Sequence, residues 1–201
     1  MALVALDPGH GISTPGKRSP EKFGQPQVRE YACNRDIAKY LSAALTRCGI
    51  GTMLTVTDNS DPALSTRASR AKNAGCKLLL SIHANAGGGT GVEAFHMEDC
   101  DKCARLARLT KDEIVADTGQ RDRGLKTKIT IYKNGKPKLV DSGILKYSHA
   151  RGMAATLIEV AFMDNTHDIA LLRSDSFKRD VAEAICKGVC KYIGIPYVKA
   201  E

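Results

Sequence analysis

Tryptophan is absent from the 201 residues, and aromatic residues together make up only 5%. A core built from this chain must be mostly aliphatic. A surface that stacks on nucleic-acid bases would have few rings to work with. Long apolar runs are missing as well. No segment approaches the roughly 20 consecutive apolar residues of a membrane-spanning helix, so membrane insertion is not expected. The first residues enter a strand-like segment almost at once, without the charged region, long apolar stretch and small-residue cleavage site of a signal peptide. Synthesis without such a peptide is the expectation. Internal repeats and linker-like tracts are lacking too, which points to one domain over residues 1–201. That length suffices for a sizeable core.

Cysteine is not scarce. There are seven, an odd count that cannot pair completely. Without a signal peptide this suggests reduced thiols and cytosolic synthesis. Cys100 and Cys103 form a CxxC with His96 just upstream. The pair reads either as a metal or redox site or as two thiols at the start of a helix. No second CxxC completes a structural zinc set. Cys186 and Cys190 lie one helical turn apart on a pattern that looks buried, where free thiols are the default.

The hydrophobic fraction of 43% is that of a globular protein, and the net charge is +8. Between Arg121 and Arg151, nine lysines and arginines face only Asp122 and Asp141, a net +7 in that segment. Focused positive charge suits a polyanionic partner. Nucleic acid and an anionic cell wall are both candidates, and a solvated surface hairpin needs no partner. No nucleic-acid-binding motif accompanies the charge, so nucleic acid is not the expected partner.

Strand-like and helix-like patterns alternate. Residues 2–6 read as a strand, followed by a long Gly-, Pro-, Ser- and Lys-rich loop to about 27. Ile37, Ala38, Leu41, Ala44 and Leu45 recur at helical spacing between Glu30 and Cys48, and Gly49 stops that helix. A strand at 53–56, a helix at 62–73, strands at 78–83 and 92–96, and a charged helix at 101–117 follow. Strands at 129–132 and 138–140 flank Asn134-Gly135, which favours a tight hairpin turn with a basic tip. The last core strand spans 156–160, and two helices finish the chain. This alternation predicts an α/β fold with a mostly parallel sheet covered by helices on both faces.

Four side chains carry the chemistry. His10 follows the first strand in Asp7-Pro8-Gly9-His10-Gly11, where small neighbours let a metal or substrate approach. Glu30 opens the first helix, and a carboxylate there also suits the helix dipole. His83 closes the apolar run Leu78-Leu79-Leu80-Ser81-Ile82, where a core histidine is the alternative. Glu159 sits between Ile158 and Val160, and a buried charge costs several kcal/mol unless it is paired or used. Strand ends of this kind converge on the carboxyl edge of a sheet, where open α/β folds place their sites. Two imidazoles and a carboxylate form a catalytic zinc set, and a further carboxylate suits a general base. Asp7 reads either as a support for a ligand or as a turn-capping residue. Gly87-Gly88-Gly89 suggests a phosphate cradle only weakly, since no Gly-Lys-Ser/Thr follows.

In order along the chain stand Asp7-Pro8-Gly9-His10-Gly11, Arg29-Glu30, Leu64 with Arg67 and Asn73, Ser81-Ile82-His83-Ala84-Asn85, Gly91-Val92-Glu93, and Leu157-Ile158-Glu159 with Phe162 and Asn165. This ordered set resembles the zinc-dependent N-acetylmuramoyl-L-alanine amidases of autolysins and phage endolysins. The resemblance implies that His10, Glu30 and His83 hold zinc and that Glu159 is the catalytic glutamate. It implies a six-stranded, mostly parallel twisted sheet flanked by helices, here with an added basic hairpin. It also implies hydrolysis of the amide between N-acetylmuramic acid and L-alanine in peptidoglycan. A wall enzyme with cytosolic features is then expected to act after release, as an endolysin or an autolysin freed at lysis. The sequence departs from the family pattern in Val160-Ala161-Phe162, where Gly-Phe is usual, and in the length of the hairpin around 127–141. Another zinc-dependent wall peptidase, or a non-catalytic wall-binding module using the 121–151 face, remain as alternative readings.

Overall fold

Six strands make the frame: Leu3–Pro8 (β1), Gly51–Leu54 (β2), Leu78–Asn85 (β3), Val92–Phe95 (β4), Asp122–Lys126 (β5) and, after the hairpin Ile129–Lys133 (β6) and Lys136–Val140 (β7), Ala154–Phe162 (β8). The computed structural model describes residues 3–24, 26–134 and 136–200, except for the side chains of 131–133 and 137. The sheet order is β2-β1-β3-β8-β4-β5, and β6-β7 form a separate two-stranded ladder. Strands β2, β1, β3 and β8 run parallel, β4 is antiparallel to β8, and β5 is parallel to β4. The expected mostly parallel six-stranded sheet with an extra hairpin is the observed one.

Side chains alternate faces along a strand, and the two faces have different covers. Val4, Leu6, Leu80, Ile82 and Ile158 pack with Glu30–Arg47 (α1), Asp101–Thr118 (α3), Thr166–Arg173 (α5) and Asp175–Ile193 (α6). Ala5, Leu79, Ala155 and Leu157 pack beneath Leu64–Asn73 (α2) and Gly143–Ala150 (α4). On this second face the period-two series turns polar toward the carboxyl ends: Ala5 gives way to Asp7, Leu79 to Ser81 and His83, Leu157 to Glu159. Chemistry collects where the apolar cover stops. Among the described residues no helix is long and apolar enough to cross a membrane.

Local signals account for most boundaries. The α1 stripe Ile37, Ala38, Leu41, Ala44 and Leu45 is fully buried, and Gly49 takes a φ of 75° just past the helix end. Asn165 and Ser174 cap α5 and α6 by accepting backbone N–H groups. Helices α3 and α6 approach closely at Gly188, where a Cβ would stand 2.6 Å from Thr110 Cα. Gly188→Ala is therefore expected to destabilise the fold by about 1–3 kcal/mol. A denaturant midpoint equal to that of the parent would refute this tight contact.

Two elements carry too little pattern to be read from the sequence. Strand β5 has no apolar alternation and lies at the sheet edge. Helix α4 is only 8 residues long and starts on a glycine. The hairpin is present, with Asn134 at a φ of 53°, but its turn partner Gly135 lies outside the described residues. The reading of Cys100 and Cys103 as reduced thiols is corrected. Three residues apart at the start of α3, their Cα atoms are 5.2 Å from each other, and the two sulfurs form a disulfide. The remaining five cysteines are free.

Candidate metal centre

His10, Glu30 and His83 come from three separate elements and meet in one place. Glu30 is the first residue of α1, nearly inaccessible, and its Oε1 accepts the Ala84 N–H at 3.2 Å. The same oxygen lies 3.0 Å from His83 Nδ1 and 3.4 Å from His10 Nε2. The two imidazoles stand edge to face with ring centroids 5.0 Å apart. One ligand atom from each of the three residues falls within 4.8 Å of the others, a set able to hold a metal ion. Glu30 Oε2 makes no hydrogen bond; its nearest cation is Lys17 Nζ at 3.6 Å.

The backbone around His10 is held on every side. His10 adopts a φ of 64°, a left-handed conformation rare for a side chain of its size. Gly9 donates to the Ile82 carbonyl at 3.0 Å, Asn34 Nδ2 donates to the Gly9 carbonyl at 3.2 Å, and Arg35 donates to the His10 carbonyl at 3.2 Å. Asn34 and Arg35 sit one turn along α1 from Glu30, so the helix that brings the carboxylate also fixes the loop of the first histidine. Gly9 has no room for a side chain, because a Cβ would lie 2.2 Å from His83 Cε1. Gly9→Ala is expected to push the His83 ring out of the cluster and to abolish high-affinity metal uptake with the fold retained. Unchanged metal stoichiometry in the purified variant would show that the ring has space to give.

Asp7 supports no histidine directly. Its carboxylate, at the end of β1, accepts from Ser81 Oγ at 2.7 Å, from the Thr55 hydroxyl, and from Arg67 at 3.0 Å. Arg67 is fully buried and also donates to the Pro8 carbonyl at 2.9 Å and to Asp61 at 2.8 Å. The pair fixes the strand end from which Gly9 and His10 depart. An open cleft of about 280 Å³ lies over it, lined by His10, His83, Asp61 and Leu64 among others.

Glu159 stands beside His83 in the β3–β8 register and beside Glu93 in the β4–β8 register. The two glutamates differ in their partners. Glu93 accepts from Asn85 at 2.6 Å and from Arg123 at 2.8 Å, with Lys126 at 3.5 Å. Glu159 Oε2 is buried with no hydrogen bond. Burial, with the charge of Glu30 adding, pushes the Glu159 carboxyl up to about 8. Burial would raise Glu30 too, but hydrogen bonds from His10 and His83 outweigh it and hold that carboxyl well below the usual range. Burial pulls His10 down, whereas the Glu30 contact overcomes the same effect at His83 and raises it.

All four residues that carry the chemistry in the sequence are thus brought to one sheet edge. Sequence reasoning missed Lys17, Asn34 and the Glu93–Arg123 pair. A weak signal exists for Arg67, a lone cation on the Ala68 and Ala71 face of α2. The glycine run is no phosphate cradle, because the Gly87 and Gly88 N–H groups already donate to Asp164 at 2.6 and 2.8 Å. The basic 121–151 segment is partly consumed internally: Arg123 and Lys126 serve Glu93, and Lys128 pairs with Glu98 and Asp141.

The chain is similar to known proteins over nearly its whole length. A family model described as N-acetylmuramoyl-L-alanine amidase matches residues 4–191. The chain is 30% identical over 194 residues to the N-acetylmuramoyl-L-alanine amidase LytC of Bacillus subtilis (strain 168), a match covering 94% of this chain and 35% of LytC. It is 31% identical over 203 residues to the endolysin of Bacillus phage SPP1, covering 96% of this chain and 66% of that protein. The chain thus spans about a third of LytC and about two thirds of the endolysin. The crystal structure of an N-acetylmuramoyl-L-alanine amidase from Clostridium difficile 630 superposes with a TM-score of 0.81 at 28% identity, covering 96% of this chain and 97% of that one.

Proposed function

The chain belongs to the N-acetylmuramoyl-L-alanine amidase family, and on that footing we propose that its residues 1–201 form one catalytic domain that hydrolyses the amide joining N-acetylmuramic acid to the stem L-alanine of peptidoglycan. The observation that carries this reading is the unpaired Glu159 carboxyl beside the His10, Glu30 and His83 cluster.

The cluster fits zinc. Two imidazole nitrogens and one carboxylate oxygen are a donor set of catalytic zinc, which leaves a position open. Zinc–ligand bonds of about 2.0–2.1 Å at a tetrahedral centre put ligand atoms about 3.4 Å apart, and His10 Nε2 to Glu30 Oε1 is 3.4 Å. Glu30 Oε2, buried without a hydrogen bond, is a further sign of a site shaped for a cation. Zinc held by His10, Glu30 and His83 would act as a Lewis acid, bring the pKa of a water down to about 7, and favour the ionised form of Glu159.

The chain's own residues supply the rest. Glu159 takes the proton of the attacking water and passes it to the leaving amine of L-alanine. Its Oε2, without any hydrogen bond, is free for that transfer, while the Glu93 carboxylate is engaged by Arg123, Lys126 and Asn85. Lys17, half-exposed above Glu30, adds positive charge where negative charge develops. The cleft between the His10 loop and the start of α2, lined by His10 and His83, gives the substrate access to the cluster. The enzyme works at the cell wall after release at lysis; its five free cysteines favour synthesis in a reducing compartment, with the Cys100–Cys103 disulfide closing after release.

Purified protein is expected to carry about one zinc per chain, to lose wall hydrolysis on chelation and to regain it with zinc. Active protein with no bound metal would end the zinc assignment. The released termini decide the bond: an amidase frees the amino group of L-alanine, whereas a peptidase exposes a residue further along the stem.

A further inference from the structure

Three cysteines from two helices converge at the end of α1 remote from Glu30. Cys48 closes α1, and Cys186 and Cys190 lie one turn apart on α6. Their sulfurs all fall within 4.8 Å of one another, with Cys48 Sγ 3.7 Å from Cys186 Sγ. Packing two helices requires no such convergence of sulfur atoms. Among the described residues, no imidazole or carboxylate completes the group, so its donors are sulfur alone.

We propose that Cys48, Cys186 and Cys190 form an all-sulfur site for one thiophilic cation, with Cu(I) the ion that fits best. Soft thiolate ligands select Cu(I), zinc and iron–sulfur clusters, while a structural zinc asks for four ligands. Metal–sulfur bonds of about 2.3 Å in a trigonal plane would set sulfurs about 4.0 Å apart, close to the Cys48–Cys186 separation. The Val198 N–H donates to Cys48 Sγ at 3.3 Å and so fixes the position of that sulfur. The Arg47 guanidinium, beside the group, offsets part of the negative charge and itself donates to the Val198 carbonyl at 2.8 Å. On uptake the S–H protons pass to solvent as sulfur–metal bonds form, and no sulfur is oxidised. The bound ion would tie the segment at Val198 to both helices.

The test is anaerobic titration of the full reduced chain with Cu(I) against a competing Cu(I) chelator, followed by X-ray absorption at the copper edge. The parent is expected to take up one Cu(I) per chain more than Cys48→Ala or Cys186→Ala, with three sulfurs and no nitrogen around that copper. Cys33→Ala is expected to match the parent. Equal uptake by the parent and Cys48→Ala would overturn the proposal, as would a shell containing nitrogen or a Cys48–Cys186 disulfide formed in place of uptake. Cys48 is only half-buried, so its variant keeps the test decisive should Cys186→Ala fail to fold.

Discussion

Glu159→Gln is expected to keep the fold and the bound zinc while slowing hydrolysis of the muramoyl–alanine amide by roughly 10²–10⁴-fold, the usual worth of general acid–base catalysis. Glutamine matches glutamate in shape but cannot take a proton at working pH. The loss should fall on kcat, because the group acts on the proton of the attacking water. Kinetics on purified walls, together with metal analysis of the same sample, make the measurement. Near-parent activity would remove Glu159 from the role of base; lost zinc would recast it as a ligand.

The same substitution has a signature in stability. Burial raises the Glu159 carboxyl from 4.5 to about 8 in the metal-free protein. The fold therefore favours the protonated form. That contribution is complete below pH 4.5 and is lost as pH rises through about 8. Glu159→Gln removes the titration. Under chelation, the Tm of the parent should fall more steeply over this window than that of the variant. Parallel Tm profiles would mean that the carboxyl is not buried as described.

Arg67→Ala is expected to cost about 3–5 kcal/mol of stability, the range for removing one partner of a buried ion pair. The guanidinium is fully buried, and its loss strands the Asp7 carboxylate and the Pro8 carbonyl together. For a chain of this size the Tm should drop by roughly 10 °C or more. Arg67→Lys keeps the charge but not the forked reach to Asp7, Pro8 and Asp61, so it should fall between parent and Arg67→Ala. A Tm within a degree or two of the parent for Arg67→Ala would show that the pair is dispensable. Metal affinity should weaken along the same series, since Arg67 fixes the strand end that carries His10.

Much of the fold and of the metal cluster is legible in the sequence. Continuous apolar runs ending in His83 and Glu159, and a glycine-flanked His10 after β1, place three side chains at strand ends. Parallel alternation then puts those ends on one edge. The α1 stripe is readable because helical spacing repeats within a few residues. Strand β5 is not, since an edge strand with one weak face carries little periodic signal. Arg67 is visible as one residue of the ordered motif, but its role is not, because its partners Asp7 and Pro8 lie some sixty residues away.

What the sequence by itself determined is most of the strands and helices, the aliphatic core and the choice of four candidate side chains, because these follow from local periodicity, residue chemistry and short ordered motifs. The tertiary structure alone decided which groups share an environment. Register across β3, β8 and β4 placed Glu159 between His83 and Glu93, and the cations that satisfy Glu93 left Glu159 unpaired. Helix packing brought Cys48 to Cys186 across 138 residues. Charge pairing, burial and ligand geometry depend on distances between residues remote in the chain, and only the packed fold sets those distances.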